Sequence, residues 1–466
     1  MDLKRIAVVA AVLAAAPITT VATAQAAPPP NAKPFAEGAA GFGDDYFPFA
    51  GNDGYDVSHY DLDLGYDYRT EVLEGSATII ATAEQKLRRF NVDLRGFEIS
   101  RLEVDGHPSD YARSGVHELE ITPHTPLITG HEFTVEIDYS GTPQTVRDPD
   151  GSAEGWVKTT DGAFVVNEPQ GSPGWFPVND DPNDKATFDF AITVPEGKTA
   201  LANGVLTSAT TENGETTWRW SQALPMSPYL TTASNGDFTL TIDELADGTP
   251  IYNAIAPGLN GNGLARQKDI HAVLSELYGS YPWEATGAVI DRGGVGYALE
   301  TATKASYDGS PGQSTVVHEI AHEWFGNAVT LGRWRDIWLN EGFARWSEWI
   351  FTEKTGGASA ATTFRNNYNS RSTAYWTQPP ADLGGPADMF DDPAYRRGAM
   401  TLQALRETIG EADFSALLKT WYAENRYGNV TTPDFIETAE RVSGEQLDDF
   451  FQAWLFGTTR PPLPGS

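Results

Sequence analysis

Residues 316–327 read VVHEIAHEWFGN, and residues 338–349 read WLNEGFARWSEW. Positions i and i+4 of a helix lie on one face, so a helix through the first stretch places the imidazoles of His318 and His322 side by side. Glu341 follows the second histidine by nineteen positions and lies in the next aromatic-rich stretch. Two histidines and one glutamate, with a fourth position left for water, form the ligand set of a catalytic zinc site. The two stretches therefore predict two helices that share one metal ion.

Two more glutamates lie close to these ligands in the sequence. Glu319 directly follows His318, where a carboxylate can take a proton from the attacking water. Glu348 follows Glu341 by seven residues, nearly two helical turns, so both side chains share a helix face. The spacing predicts Glu319 as the general base. It leaves Glu348 two roles, either a hydrogen-bond partner of a metal-binding histidine or a solvated surface glutamate.

Two other histidine–glutamate pairs provide an internal comparison. His117–Glu118 and His131–Glu132 both lie in alternating segments typical of strands, and neither has a second histidine four residues later. We therefore expect the metal centre at His318 and His322 and not at these pairs. The alternative at the predicted centre is two core histidines on an ordinary helix.

The composition restricts both the metal ligands and the partners. The chain of 466 residues contains no cysteine, so a metal site must use histidines and carboxylates. The formal net charge of −32 argues against nucleic acid as a partner, because phosphates would be repelled. The acidity is explained either by a solvated surface or by carboxylates that line a site for a cationic group.

Residues 1–26 have the pattern of a secretory signal peptide. Lys4 and Arg5 precede an apolar run, and Ala24-Gln25-Ala26 is a small-x-small cleavage signal that predicts cleavage before Ala27. A membrane anchor is disfavoured, because the apolar run is short and a proline interrupts it. We expect an exported protein with no stable membrane anchor.

The rest of the chain divides by pattern. Residues 27–43 are rich in Pro, Ala and Gly and predict a flexible leader. Short alternating segments over 44–242 predict a largely antiparallel β domain, in which 150–185 form a long functional loop system. Helical spacing dominates 243–466. The predicted helices are Leu264–Leu277, Thr315–Phe325, Glu341–Thr355, Tyr395–Ile409, Phe414–Ala423, Pro433–Arg441 and Glu445–Leu455.

The stretch HEIAHEWFGN followed by WLNEGFARWSEW resembles the signature of the aminopeptidase N family of zinc metallopeptidases, gluzincins that include leukotriene hydrolase. The similarity continues in DVSHYDLDLGYD (56–67), PYLTTASNGDF (228–238) and PDFIETAERVSGEQLDDFFQAWLFG (433–457). It implies an α+β multidomain fold, in which an N-terminal antiparallel β saddle or sandwich precedes a mainly helical, thermolysin-like zinc catalytic domain. It also implies one Zn²⁺ per chain and a short form without the family's large helical C-terminal domain.

The resemblance assigns roles to three more residues. Tyr395, in AYRRGAMTL, matches the family tyrosine that donates a hydrogen bond to the oxyanion of the tetrahedral intermediate. Glu300, in GYALET, matches the glutamate of the exopeptidase strand, which binds the α-amino group of the substrate. Glu168, in NEPQGSPGWFP, matches its partner. The implied substrates are peptides with a free N-terminus.

The strand motif departs from the family pattern at Tyr297, Leu299 and Thr301, where the family has Gly, Met and Asn. The alternative functions are a thermolysin-like zinc endopeptidase, a non-peptide hydrolase of the same fold and a catalytically silent binding protein. The sequence leaves the preferred N-terminal residue and the oligomeric state open.

Overall fold

In the computed structural model of the protein, which describes residues 35–465, alternating apolar and polar side chains build the first half of the chain into sheets. In chain order, the strands of this half are β1 (Ala36–Glu37), β2 (Tyr55–Asp67), β3 (Val72–Ala83), β4 (Leu87–Asp93), β5 (Glu98–Val104), β6 (His107–Pro108), β7 (Asp110–Ser114), β8 (Glu118–Thr122), β9 (Glu132–Gly141), β10 (Thr145–Arg147), β11 (Ala153–Lys158), β12 (Ala163–Val166), β13 (Ala186–Pro195), β14 (Thr199–Ala200), β15 (Val205–Glu212), β16 (Glu215–Met226) and β17 (Asn235–Gly236). The predicted signal peptide, 1–26, lies outside the described residues. In the segment predicted as a leader, the described part begins at Phe35 and includes β1.

Three sheets make up this β half. The largest has eight strands in the order β15-β16-β13-β2-β3-β9-β5-β6, antiparallel except for the parallel pair β13 and β2. A four-stranded sheet has the order β1-β4-β8-β7, and a five-stranded sheet has the order β10-β11-β12-β17-β14. The largely antiparallel arrangement agrees with the alternating pattern of the sequence.

The alternation along β2 shows how the core of the large sheet forms. Tyr60, Leu62 and Leu64 are fully buried, while Asp61 and Asp63 between them point to the outer face. On the neighbouring strand, Phe188 lies in register with Tyr60, and the two rings stack with centroids 4.9 Å apart. Aromatic packing of this kind fixes the register of a strand, since a shift by one residue would bring the aspartates inside.

The sequence predicts a loop system over the whole of 150–185. The structure differs in part, because two runs of this segment pair as the strands β11 and β12. The connection after β12 is also more buried than its Gly- and Pro-rich sequence suggests, and Trp175 and Phe176 in it are fully buried. Its backbone finds partners inside the domain: the carbonyl of Trp175 accepts a 3.1 Å hydrogen bond from the hydroxyl of Tyr139. This connection carries Glu168 into the interior.

The second half of the chain combines a smaller sheet with helices, and the order of the two halves confirms the predicted fold class. Its strands are β18 (Thr239–Glu244), β19 (Pro250–Ile255), β20 (Thr286–Asp291), β21 (Ala298–Leu299), β22 (Ala305–Asp308), β23 (Thr330–Leu331) and β24 (Asn429–Val430). Its helices are α1 (Gln267–Tyr278), α2 (Gln313–His322), α3 (Trp338–Lys354), α4 (Ala360–Ser370), α5 (Gly398–Ile409), α6 (Glu411–Asn425), α7 (Thr432–Ser443) and α8 (Asp448–Phe451).

A mixed five-stranded sheet, β18-β19-β20-β22-β21, opens this half and was not predicted. Its central strand β20 is buried along its whole length, so it lacks the alternation that identifies a half-buried strand. The domain boundary predicted near residue 242 falls inside β18, which hydrogen bonds to β19 of this sheet. Helix α4 was also missed.

The helix that carries the histidines is shorter than predicted at its C-terminal end. It ends at His322 and not at Phe325, because the following residues tighten into i→i−3 hydrogen bonds from Glu323 to Ile320 and from Trp324 to Ala321. Within residues 35–465, no helix combines the length and apolar character needed to cross a bilayer.

A buried arginine organises the helices behind the site. The guanidinium of Arg397, just before α5, is fully buried and donates hydrogen bonds to five main-chain carbonyls. Those carbonyls belong to Trp376, Gln378, Ala453, Trp454 and Gly457. One side chain thus fixes two irregular segments against the start of α5.

We expect Arg397→Met to lower the free energy of unfolding by at least about 3 kcal/mol, since it leaves several buried carbonyls without a donor. The matched control is Arg396→Met at the adjacent position, where the half-exposed side chain forms an ion pair with Asp392; it should cost less than about 1 kcal/mol. Urea denaturation of both variants measures the difference. Equal losses in the two variants would contradict this role for Arg397.

Candidate active site

Helices α2 and α3 bring the predicted metal ligands together. The Nε2 atom of His318 lies 2.9 Å from Oε2 of Glu341, and Nε2 of His322 lies 3.5 Å from the same oxygen. All three side chains are buried, and their ligand atoms lie within 4.8 Å of one another. The two rings are 4.8 Å apart between centroids, as expected for neighbours at i and i+4 of one helix.

This cluster has the donor set and the electrostatics of a metal site. Burial alone would lower the pKa of His318, but its contacts with Glu341 and Glu348 outweigh that effect and raise the pKa to about 9. The carboxylates therefore stabilise positive charge between the two helices. Two imidazole nitrogens and one carboxylate oxygen are the ligands that catalytic zinc sites use, so the residues present fit a zinc ion.

The second nitrogen of each ring is also held in place. Nδ1 of His318 lies 2.9 Å from Oε1 of Glu348, and Nδ1 of His322 lies 3.1 Å from the carbonyl oxygen of Phe325. Contacts of this kind fix the tautomer and orientation of metal-binding histidines, because they leave Nε2 free to face the ion. Of its two predicted roles, the position of Glu348 favours the one beside the histidine.

Glu348 is itself oriented by two partners. The hydroxyl of Ser314 donates a 2.5 Å hydrogen bond to its Oε2, and the guanidinium of Arg345 lies 2.9 Å from the carboxylate. Neither partner was predicted, although Arg345 lies three residues before Glu348 on α3, a spacing that places the two on one face. The helix-face argument that found Glu348 could therefore have found Arg345.

Glu319 lies in the same cavity as the histidines. Its carboxylate is buried and forms, with the carboxylate of Glu300 and the imidazole of His322, a group whose ligand atoms lie within 4.8 Å of one another. Burial raises the pKa of Glu319 to about 7. A carboxyl whose pKa lies near neutrality can both accept and return a proton, as the predicted general base must.

Tyr395 is held over the first histidine. Its ring lies nearly parallel to that of His318 at 6.0 Å between centroids, and it belongs to a π-helical turn, Pro393–Arg397, that leads into α5. Helices α3 and α5 touch where two glycines meet: a Cβ on Gly398 would lie 2.9 Å from the Cα of Gly342. Because any side chain there would force the helices apart, the glycines set the distance between Tyr395 and the metal ligands.

The predicted pair of amine-binding glutamates is brought together beside the metal ligands. Carboxylate oxygens of Glu168, Glu300 and Glu341 lie within 4.8 Å of one another, although they come from three separate parts of the chain. Glu168 and Glu300 are buried, and within the described part of the chain one oxygen of each, Oε1, finds no hydrogen-bond partner. Burial raises the pKa of both carboxyls. Two buried acceptors without donors leave room for a ligand that supplies N–H groups.

The segment that carries Glu300 is fixed by two residues that follow the metal-binding helix. The amide of Asn327 donates to the carbonyl of Glu300 at 2.7 Å and to Oε2 of Glu323 at 3.1 Å. Oε1 of Glu323 accepts a 2.9 Å hydrogen bond from the backbone N–H of Thr303. Sequence reasoning missed both residues, because their partners are mostly main-chain groups, which no residue pattern identifies.

The predicted metal ligands, Glu319 and the two predicted amine-binding glutamates line a cavity of about 370 Å³ beside α2. Its acidic lining residues are Asp150, Glu168, Glu300, Glu319, Glu341 and Glu348. Arg345 is the basic residue among the lining residues, and its contact with Glu348 partly neutralises it. Tyr297, where the strand motif departs from the family, donates to the carbonyl of Ala153 at 2.9 Å and so joins this wall to the β half. The cavity therefore favours positively charged ligands.

The chain matches two parts of one family. Residues 57–230 match the Peptidase M1 N-terminal domain, and residues 294–454 match the Peptidase family M1 domain. A crystal structure of an M1 zinc metallopeptidase from Deinococcus radiodurans superposes with a TM-score of 0.85 at 30% sequence identity, over 91% of this chain and 98% of that one. A two-domain M1 zinc metallopeptidase variant bound to L-arginine is 29% identical with a TM-score of 0.84, over 91% of this chain and 99% of that one.

Longer aminopeptidases are also similar. Glutamyl aminopeptidase of Mus musculus is 23% identical over 85% of this chain and 46% of its own length. Endoplasmic reticulum aminopeptidase 1 of Homo sapiens is 26% identical over 82% of this chain and 45% of its own length. The chain thus spans about half the length of these relatives.

We expect Glu348→Gln to weaken zinc binding by about 10- to 100-fold, because the amide is a poorer acceptor for the ring N–H of His318. Competition with a chromophoric chelator measures the affinity. Glu437→Gln, on the exposed face of α7, is the control and should leave the affinity unchanged. If zinc bound Glu348→Gln as tightly as the unchanged protein, Glu348 would not orient the histidine.

Proposed function

This chain belongs to peptidase family M1, and on that premise we propose that it is a zinc-dependent aminopeptidase that removes residues from the N-terminus of peptides. The observation that carries the proposal is the pair Glu168 and Glu300, buried beside the metal ligands with one oxygen each lacking a hydrogen-bond donor. A free α-ammonium group supplies both N–H donors and positive charge, so it satisfies both carboxylates at once.

The position of this pair next to Glu341 explains why cleavage would begin at the chain end. An ammonium group held between Glu168 and Glu300 lies one residue's length from the first peptide bond, so that bond reaches the cluster of His318, His322 and Glu341. An internal segment of a peptide has no charge to place against the two glutamates and leaves them buried and unpaired, which is costly. The same carboxylates would therefore bind free N-termini and disfavour endopeptidase cleavage.

The proposed reaction uses the buried side chains as follows. Zinc held by His318, His322 and Glu341 would supply a Lewis acid that polarises the scissile carbonyl and lowers the pKa of the attacking water. Glu319 takes the proton from that water and passes it to the leaving amine, a transfer that its pKa near 7 favours. The hydroxyl of Tyr395 donates a hydrogen bond to the oxyanion as it forms.

Export is a further part of the proposal, and its support is the sequence of residues 1–26, with basic residues, an apolar run and a cleavage signal. We expect the protein recovered from the culture medium to begin at Ala27. N-terminal sequencing of that protein checks the cleavage site. A cell-associated protein that retains Met1 or Asp2 would contradict export through a cleaved signal.

Two isosteric substitutions should separate amine binding from proton transfer. Glu319→Gln should lower kcat on aminoacyl arylamides by about 10²- to 10⁴-fold, because the amide cannot accept the proton of water. Glu300→Gln should act mainly through KM and lower kcat/KM by roughly 30-fold, the equivalent of losing one buried charge contact worth about 2 kcal/mol. Steady-state kinetics measure both, with zinc content as the check that the metal is retained.

An N-acetylated peptide distinguishes the proposal from the endopeptidase alternative. The unchanged protein should not cleave it, since acetylation removes the ammonium that Glu168 and Glu300 bind. Rapid cleavage of the blocked peptide, or an unchanged KM in Glu300→Gln, would overturn the aminopeptidase assignment while leaving the zinc chemistry intact.

A further inference from the structure

A second cluster of metal-ligating side chains lies in the β half, at the His117–Glu118 pair that the sequence argument set aside. Asp93, the last residue of β4, is the direct cross-strand partner of Glu118, the first residue of β8. Asp93 is 0% exposed and Glu118 is 7% exposed. Like charges placed directly opposite each other destabilise a sheet, and burial makes the repulsion stronger. This pair therefore requires either a positive charge beside it or a proton on one of the two carboxylates.

A third carboxylate adds to the requirement. Asp180 is 3% exposed, and its backbone N–H donates to Oδ2 of Asp93 at 3.1 Å. Among residues 35–465, three buried atoms of the cluster find no hydrogen-bond partner, namely Oε1 of Glu118, Oδ2 of Asp180 and Nδ1 of His117. Polar atoms that are buried without partners are rare in proteins and indicate a missing ligand or proton.

The protein's own cations do not meet this requirement. In the part of the chain from 35 to 465, the charge partner within ion-pair distance of Asp93 or Glu118 is His117, and no lysine or arginine pairs with either residue. Arg95 borders the same narrow cavity as Asp93, His117 and Asp180, and its charge opposes the rise that burial causes in the pKa of Asp180, but among residues 35–465 it is not within ion-pair distance of Asp93 or Glu118.

The geometry resembles that of the predicted catalytic centre in the same molecule. Nε2 of His117 lies 3.8 Å from Oδ1 of Asp93 and 3.7 Å from Oε1 of Glu118, and the three ligand atoms lie within 4.8 Å of one another. The corresponding contacts of Glu341 with the two catalytic histidines are 2.9 and 3.5 Å. Nε2 of His117 also lies 2.8 Å from the carbonyl oxygen of Phe49, to which its N–H donates; a bound ion would take the place of that proton and add the carbonyl oxygen as a fourth donor atom.

We propose that Asp93, His117 and Glu118 bind a divalent transition-metal ion that is separate from the ion at His318. One imidazole with two carboxylates suits zinc or manganese, whereas calcium prefers sites made only of oxygen atoms. The ion would have a structural role. It would join β4 and β8 to the segment around Phe49, whose next turn already contacts Asp93 through the N–H of Gly51 at 3.1 Å.

The competing explanation is a proton. Burial raises the pKa of Asp93 to about 6 and that of Glu118 to about 8, so a proton on Glu118 could remove the repulsion at neutral pH. The two explanations predict opposite responses to metal ions and to the removal of the charge on Glu118, and this difference makes them separable.

The test is the metal content of the purified full chain after dialysis against zinc or manganese, measured by mass spectrometry. We expect two equivalents in the unchanged protein and one in His117→Ala. The matched control His131→Ala alters the other histidine–glutamate pair, whose exposed ring contacts only Asp105 among the charged groups, and it should retain two equivalents. His318→Ala should lose the other equivalent. The double variant of His117 and His318 should bind none.

A second measurement covers the case in which His117→Ala fails to fold. Glu118→Gln keeps the shape of the side chain and should also bind one equivalent. In the His318→Ala background, zinc or manganese should raise Tm when Glu118 is present and leave it unchanged in Glu118→Gln. Two results together would show that Glu118 is protonated and would overturn the proposal. The unchanged protein would bind one equivalent, and Glu118→Gln would have a higher Tm than the unchanged protein at pH 8, with or without metal. Neither measurement uses peptidase activity, so a failure of this metal-site proposal would not affect the proposed function.

Discussion

The approach of the Glu341 carboxylate to the imidazole of His318, at 2.9 Å, is the contact on which the rest of the site depends. It joins α2 to α3 at a point where both side chains are buried, so each buried polar group requires a further partner. Glu348 meets the far side of His318, and Ser314 and Arg345 meet Glu348. Each of these contacts supplies a partner for a polar atom that the preceding contact leaves unsatisfied. The orientation of the metal ligands is thus set by a connected polar network between two helices.

How much of this could be read from the sequence depends on how local each contact is. The two histidines, Glu319 and Glu348 follow from helical spacing, because their neighbours lie on the same helix or at a fixed number of turns. Glu168, Glu300 and Tyr395 lie on three separate elements, and only the family resemblance placed them in one site.

The features that sequence reasoning missed have a common physical origin. Asn327, Glu323 and Arg397 act on main-chain groups, and a carbonyl or N–H is present at nearly every position whatever the residue. The mixed five-stranded sheet of the second half was missed because its strand β20 is buried on both faces, so the sequence of β20 lacks the two-residue alternation that marks a half-buried strand. The burial of the loop after β12 was missed for a related reason, because it depends on hydrogen bonds to distant residues such as that from the Tyr139 hydroxyl to the Trp175 carbonyl.

Both halves of the chain contribute to the proposed amine-binding pair. Glu300 follows β21 of the second half, whereas Glu168 follows β12 of the β half, so each half supplies one carboxylate. Their relative position is fixed at the junction, where the amide of Asn203 donates to the carbonyl of Ala302 at 2.7 Å and the N–H of Gly204 donates to Thr303 at 2.8 Å. Glu323 holds the other side of Thr303, next to the second histidine. The predicted zinc ligands belong to the second half alone, so in the proposed reaction the β half would help to select the end of the peptide and would not bind the catalytic zinc ion.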